Sequence, residues 1–513
     1  MTVIGVVLRV LVARQSIFAD ELSTYWISVT HGFGDVISLL YGSASIHHAE
    51  ITPPLYFVLA WVTAHLGHSV LLLRLPSLIA GGLSLPVIYL LGRRTVGPRA
   101  ALVATALTTL SPFMIYYSTE ARAYAVMMLL VMASTLAMLI AVESGRARWW
   151  VLYAVCACAA VYSHLTCGFV LAGQFLWLLW AHPPARGRAV VASLGAVAGL
   201  LPWTVGFLRD FSSPTLKILS ALSPFSAHDI PVILGHWAIG YPYANYDAGV
   251  AHLPGPVALA LLVLATIIAG AGLARRAADP GRGGGHRASV LDGMPKPLIL
   301  VLVLVLVTPV GEGVVSVFSS HIFGVRNLAA SWPGLALGLA ALLTAPAPRL
   351  RVAAVSLVLG GFAIGAVLML SATYSRPNYQ AAADLINARA AIHAVIDETG
   401  EISPGPLTPI DVELTRRVAV FRAGSPAERQ HPFGFADPIA SLSDAVAGAV
   451  AAARGGPIAV VSTVLPPGAE IATRRQPPKP PFPPPYRLLE THVYAGLAPT
   501  EVSVYADPAG PRS

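Results

Sequence analysis

Charge is what this sequence has least of. Asp, Glu, Lys and Arg make up 11% of its 513 residues and mean hydropathy is +0.68, whereas soluble domains carry about 25% charged residues. That scarcity excludes an ordinary soluble domain and leaves a polytopic membrane protein. Cysteine is almost missing. Cys156, Cys158 and Cys167 all lie in apolar segments, which excludes a disulfide framework and offers no metal-ligand spacing. Acidic residues are few as well, 25 against 33 basic, for a net charge of +8. In a soluble chain that excess would suggest nucleic acid. Here the arginines fall in short loops between apolar runs, the positive-inside pattern, so no nucleic-acid partner is expected. No tandem repeat is visible.

What is abundant is apolar sequence. Runs occupy residues 2–18, 70–92, 98–117, 122–142, 149–165, 167–181, 189–207, 253–274, 297–317, 327–345 and 352–371. The first is short and is interrupted by Arg9 and Arg14. No small-x-small site with the usual flanks precedes Asp20, so it reads as a first transmembrane helix with a truncated or misassigned start. Residues 53–66 fall below the roughly 20 needed for a span. If they do not cross, Arg93, Arg94 and Arg99 share a side with Arg146, Arg148, Arg186, Arg188 and the later loop arginines. Positive-inside ordering then holds nearly throughout, so 53–66 is expected to be interfacial or re-entrant.

The expected fold class is an all-α polytopic membrane domain of about eleven helices over residues 1–373, followed by a small α/β domain over 374–513. With the N-terminus inside, the exoplasmic face collects loop 19–69, residues 116–124, His164, loop 208–252, residues 319–326 and the C-terminal domain. Within that domain, Tyr379–Thr399 has a helical pattern, Ile458–Val464 and Val502–Tyr505 read as strands, and Gln476–Pro485 is proline-rich and extended.

The polar residues able to do chemistry gather on that one face. Asp20 and Glu21 follow the first apolar run directly. An acidic pair at a membrane boundary either marks the aqueous end of a helix or serves a site. Residues 22–42 read as an amphipathic interfacial helix, followed by His47-His48-Ala49-Glu50-Ile51-Thr52-Pro53-Pro54-Leu55-Tyr56. Further on come Arg74-Leu75-Pro76-Ser77-Leu78, Leu91-Gly92-Arg93-Arg94, and Ser111-Pro112-Phe113-Met114-Ile115-Tyr116-Tyr117-Ser118-Thr119-Glu120-Ala121-Arg122-Ala123-Tyr124.

In this order the segments resemble the GT-C superfamily of membrane glycosyltransferases, in particular the protein O-mannosyltransferases and the aminoarabinose transferases of lipid A. The resemblance covers about residues 1–210 closely and 297–380 loosely. It implies a polyprenyl-phosphate sugar as donor, inverting transfer to an acceptor hydroxyl, and Asp20 as the base; Glu21 would shape the loop or bind a sugar hydroxyl. A carboxylate suits the base because the acceptor must lose a proton as it attacks. Arg122 and Arg326 would bind the donor phosphate, since guanidinium offers a planar two-pronged donor set; otherwise each snorkels to lipid headgroups. Relatives more often have Arg-Tyr where this chain has Arg326-Asn327. Glu120 is either a second acid of the site or the partner of Arg122.

Glu50, His48, Tyr117, Glu120 and His164 are the candidate sugar or acceptor contacts. Glu50 with His47 or His48 could instead take a divalent metal, although adjacent histidines do not readily ligate one ion and no third ligand is fixed by spacing. Trp237, Tyr241, Tyr243, Asn245, Tyr246 and Asp247 are interface anchors or acceptor contacts. The partners expected are the prenyl-phosphate donor, a lipid, protein or polysaccharide acceptor, and membrane lipids, with the protein in a bacterial inner membrane. Two other functions compete: a flippase for lipid-linked sugars, which would show repeats and mid-membrane charges, and a non-catalytic scaffold.

Overall fold

The computed structural model describes residues 1–41, 50–67, 69–212, 225–239, 255–277, 294–399, 407–424, 440–463 and 479–508. Among these, eleven helical rods match the eleven apolar runs one for one. They are Thr2–Val12, Leu75–Thr95, Pro98–Leu110 with Pro112–Tyr117, Tyr124–Ser144, Ala147–Ser163, Cys167–Ala181, Arg186–Leu200 with Thr204–Ser212, Gly255–Ala277, Lys296–Phe318, Trp332–Thr344 and Pro348–Leu368. Among the described residues, seven helices are long and apolar enough to cross a membrane by length and composition. Short connections make sequence neighbours antiparallel, so the chain runs up and down between two ends of a bundle.

The arginine-rich loops share one of those ends. Arg94 meets Glu143 at 3.5 Å, the Arg188 guanidinium donates to the Gly145 carbonyl at 3.2 Å, and Lys296 Nζ donates to Ala181 O at 2.8 Å. Gly145 takes the left-handed conformation (φ 65°) that ends the Tyr124–Ser144 helix, a position glycine fills without strain. Small residues let the rods approach closely. A Cβ on Gly334 would stand 2.7 Å from the Leu304 carbonyl carbon, and one on Gly92 2.9 Å from Ala101 Cβ.

Arg9, which interrupts the first apolar run, is 1% exposed and has a structural task. Pro112 lacks the N–H that would bond the Thr108 carbonyl one turn back. Arg9 Nη2 donates to that carbonyl at 3.0 Å, while Nη1 donates to Gly5 O at 2.9 Å.

At the other end of the bundle the first loop folds into short helices. Residues 22–42 do not form one helix as expected: Glu21–Val29 and Phe33–Leu40 are separate. Thr30 Oγ1 donates to the Trp26 carbonyl at 2.6 Å and Gly32 starts the second helix in an extended conformation, so local side-chain bonding replaces the continuing ladder. Leu55–Ala64 has ten residues, about 15 Å of helix, half the roughly 30 Å of a hydrocarbon core. Tyr56 Oη fixes it by donating to Leu73 O at 3.1 Å.

The C-terminal unit is α/β. Its five-stranded sheet has the order β2-β1-β3-β5-β4, with β1 Ala394–Glu398, β2 Ala419–Arg422, β3 Ile458–Thr463, β4 Arg487–Tyr494 and β5 Thr500–Ala506. β1 pairs in parallel with β2 and β3, while β5 is antiparallel to β3 and β4. The helix expected over 379–399 ends at Ala388, and Ala394–Glu398 is an interior strand between β2 and β3. Val395 and Ile396 are buried on opposite faces, a demand that a β-branched pair meets better in a sheet than in a helix. The helix Leu442–Ala453 covers β1 and β2, with Phe421 lying against Gly448. The described part of the proline-rich stretch, residues 479–485, forms neither helix nor strand.

This unit grips the chain just before Asp20. Gln380 N–H donates to Ser16 Oγ at 3.0 Å, Ile17 N–H to Glu413 Oε1 at 3.4 Å, and Arg376 N–H to Gln15 Oε1 at 3.1 Å.

Candidate active site

Asp20 and Glu21 are adjacent, yet they face opposite ways. They open the Glu21–Val29 helix, and successive residues of a helix project about 100° apart. One carboxylate is therefore turned into the protein and the other out. Ala19, just before them, has φ 49°, a left-handed conformation costing roughly 1–2 kcal/mol in a non-glycine residue.

The inward carboxylate holds that turn. Glu21 is fully buried and takes five donors: Arg74 Nε (2.7 Å) and Nη2 (2.6 Å), Arg376 Nη1 (2.9 Å), Ala121 N–H (2.7 Å) and Phe18 N–H (3.2 Å). Burial pushes its pKa up, but the charges of Arg376 and Arg74 and the bonds from Arg74 and Ala121 outweigh that and bring it below the ordinary value. Arg74 is equally saturated, since its remaining N–H groups donate to the carbonyls of Ala13, Gln15 and Ser16. With its lone pairs occupied, Glu21 is not placed to touch substrate. Of its two readings, the geometry fits loop shaping.

The outward carboxylate meets Arg326. Arg326 Nη1 lies 2.7 Å from Asp20 Oδ2, and the two side chains keep 48% and 30% of their exposure. Arg326 is delivered by the turn between the Lys296–Phe318 helix and the 3-10 segment Asn327–Ser331. Ser316 Oγ pins that turn by accepting the N–H groups of Ile322 and Phe323, and Asn327 Nδ2 donates to Ile322 O at 2.6 Å. The asparagine that departs from the family pattern thus braces the loop of the arginine before it.

Arg122 is placed differently from expectation. It is 7% exposed, and its partner is Glu50, not Glu120: Nη1 and Nη2 donate to the two Glu50 oxygens at 2.8 and 3.1 Å. Nη2 also donates to Thr52 Oγ1 and Nη1 to Ser23 Oγ. Its four Nη hydrogens are committed, so as placed it has no Nη–H for a donor phosphate. Glu50 is saturated in turn, by Ser23 Oγ at 3.0 Å and Thr52 N–H at 3.0 Å. Burial raises its pKa, but the Arg122 charge and the bonds from Arg122 and Thr52 prevail and hold it at about 2. That leaves Glu50 no lone pair for a metal. Among the described residues no group of three or more His, Cys, Asp or Glu is arranged to hold one. His47 and His48 lie outside the described residues, as do Tyr241, Tyr243, Asn245, Tyr246 and Asp247.

Glu120 is the anomaly. It is 6% exposed and its Oε2 has no hydrogen-bond partner among the described residues. Burial, then the carboxylates of Asp20 and Glu21, push its pKa up to about 8 against the pull of Arg376 and Arg122. It therefore keeps its proton to higher pH than an ordinary carboxyl. Tyr117 and Tyr124 stack edge to face at 4.8 Å, and His164 lies 5.3 Å from Tyr124. Burial and the cations Arg326 and Arg122 lower the His164 pKa to about 3, and its Nδ1 pairs with Thr166 Oγ1 at 2.9 Å. It is neutral. Trp237 lies elsewhere, its carbonyl accepting from Trp332 Nε1.

Arg376 had no role in the sequence reading, and Arg74 entered it only as part of a motif. A general signal existed, because a buried acid requires cations, but nothing in the spacing says which ones. A cavity of about 1140 Å3 lies between the Ala147–Ser163 and Arg186–Leu200 helices. It extends from Gly145 and Arg188 at the arginine-rich end to Pro54, Leu55 and Val58 beside the first loop.

Residues 51–205 match the family described as dolichyl-phosphate-mannose-protein mannosyltransferase. No curated protein sequence matches the chain. Among solved structures, ArnT from Cupriavidus metallidurans bound to undecaprenyl phosphate aligns over 99% of this chain and 98% of its own, with 14% identity and a TM-score of 0.51. Its apo state gives 0.52, with 14% identity over 99% of this chain and 97% of its own. The archaeal oligosaccharyltransferase AglB from Archaeoglobus fulgidus aligns with 12% identity and a TM-score of 0.45, over 90% of this chain and 68% of its own. The resemblance read from the first two loops therefore holds, and the chain has the GT-C fold of the polytopic membrane glycosyltransferases.

Proposed function

We propose that the chain is an inverting glycosyltransferase that moves a sugar from a polyprenyl-phosphate donor to an acceptor hydroxyl, with Asp20 as base and Arg326 as the phosphate-binding cation. The contact between these two side chains carries the reading. An anionic lipid phosphate competes with Asp20 for the Arg326 guanidinium. As it binds, it frees an oxygen of Asp20 to face the acceptor, so donor binding arms the base.

In the transfer step the acceptor oxygen attacks the anomeric carbon from the side opposite the phosphate. The bond from that carbon to the phosphate oxygen breaks, its electron pair stays on the phosphate, and the acceptor proton passes to Asp20. One displacement inverts the centre. Arg326 stabilises the charge that grows on the departing phosphate. The protonated Glu120 offers a hydrogen bond to the sugar without adding a third negative charge, and Tyr117, Tyr124 and His164 pack together beside these groups. The apolar cavity beside the first loop suits the prenyl chain. The site end of the bundle and the C-terminal unit would face the periplasm or cell exterior of a bacterial inner membrane.

The test is Asp20→Asn in the purified chain. Release of lipid phosphate from a prenyl-phosphate sugar should fall by about 10²–10⁴ while binding of undecaprenyl phosphate persists. Undiminished release would remove Asp20 as the base.

A further inference from the structure

Arg376 opens the C-terminal unit, and its guanidinium ends inside the site. Nη1 donates to Glu21 Oε2 at 2.9 Å and Nη2 to the Thr119 carbonyl at 3.2 Å. One side chain therefore ties the first loop, which carries Asp20, to the second loop, which carries Glu120. We propose that Arg376 is a positioning residue for the Asp20 site, so that the C-terminal unit supplies part of the catalytic centre instead of standing apart from it. The inference rests on the transferase reading above.

Its geometry is held from three directions. The Arg376 side chain is 1% exposed and its guanidinium stands 5.2 Å over the Tyr116 ring. Its backbone N–H donates to Gln15 Oε1 at 3.1 Å. The neighbouring bonds from Gln380 to Ser16 and from Ile17 to Glu413 fix the same junction. If the C-terminal unit moved away, the guanidinium would leave with it.

Charge makes the residue more than a clamp. Glu21 is a single carboxylate between two guanidiniums, Arg74 and Arg376. Arg74 alone neutralises it, so one positive charge is left over among buried side chains. That surplus acts on Glu120, whose chain neighbour Thr119 accepts from Arg376 Nη2. Glu120 is faced by Asp20 and Glu21 from the first loop, Arg122 from its own loop, Arg376 from the junction, and the buried phenols Tyr56, Tyr117 and Tyr124. Within this set Arg376 is a cation that only the C-terminal unit brings. Without it the protonated form of Glu120 is favoured further.

The experiment is an infrared titration of the purified full chain, following the carboxyl C=O band identified as the one lost in Glu120→Gln. In Arg376→Ala that band should titrate about one pH unit higher than in the unsubstituted protein. Arg376→Lys keeps the charge and should titrate near the original pH. A midpoint equal in all three proteins, together with undecaprenyl phosphate binding unchanged in Arg376→Ala, would overturn the proposal. If Arg376→Ala does not fold, Arg376→Gln takes its place against Arg376→Lys with the same two outcomes. A second arm measures undecaprenyl phosphate binding, which should weaken about tenfold in Arg376→Ala and recover in part in Arg376→Lys. No binding by the unsubstituted protein would defeat the transferase reading, and the titration would still decide the role of Arg376.

Discussion

Asp20 and Arg326 lie 306 residues apart in the chain and 2.7 Å apart in the fold. Both side chains keep contact with the exterior, so the pair adds about 1 kcal/mol or less to stability. Arg326→Gln should leave the unfolding temperature nearly unchanged and weaken undecaprenyl phosphate binding by about tenfold or more. Arg326→Lys should fall between, because an ammonium offers a point charge where the guanidinium offers two prongs. Thermal unfolding and lipid-phosphate binding on the same preparations check both statements.

Glu21 should behave in the opposite way. Glu21→Gln leaves Arg74 and Arg376 buried with no anion between them, and breaking a buried pair from one side costs about 3–5 kcal/mol. The expected outcome is a large fall in thermal stability, measured beside Asp20→Asn, which should keep its stability. Equal stability of the two variants would contradict the division of labour between the adjacent acids.

That division marks what the sequence reveals and what it hides. Apolar length and loop arginines are local properties, so the eleven rods and the short helix at Leu55–Ala64 are readable directly. The meeting of Asp20 with Arg326 is suggested by both lying beside spans at one end. The pairing of Arg122 with Glu50 is not readable, because Glu120 lies two residues away in sequence and looks the nearer partner. Backbone geometry decides otherwise: Ala121 turns its N–H to Glu21, and Arg122 points to Glu50 and Thr52. In the C-terminal unit the helical pattern after Tyr379 misled over 394–398, where burial on both faces of an interior strand outweighs local periodicity.

Glu50 predicts an acid-side loss of stability. Its folded pKa of about 2 lies below the ordinary 4.5, so its contribution is complete above the unfolded value and disappears as pH falls through the folded one. The difference amounts to about 3 kcal/mol. Unfolding of the unsubstituted protein and of Glu50→Gln, compared from about pH 6 down to pH 2, should show a gap that closes toward the acid end. A gap constant with pH would contradict the Arg122 pairing.

Glu120 predicts the reverse sign. Its folded pKa of about 8 lies above 4.5, so the folded state binds the extra proton between those values and stability declines as pH rises through that window. Glu120→Gln, which cannot ionise, should match the unsubstituted protein near pH 4 and be the more stable of the two above about pH 8. The unfolding temperatures of both, measured across that range, give the answer.

The most direct measurement supplies the purified chain with a panel of radiolabelled prenyl-phosphate sugars and follows free lipid phosphate. The account predicts release from at least one donor, reduced by about 10²–10⁴ in Asp20→Asn. Release from none of them, or release that Asp20→Asn leaves untouched, would contradict it.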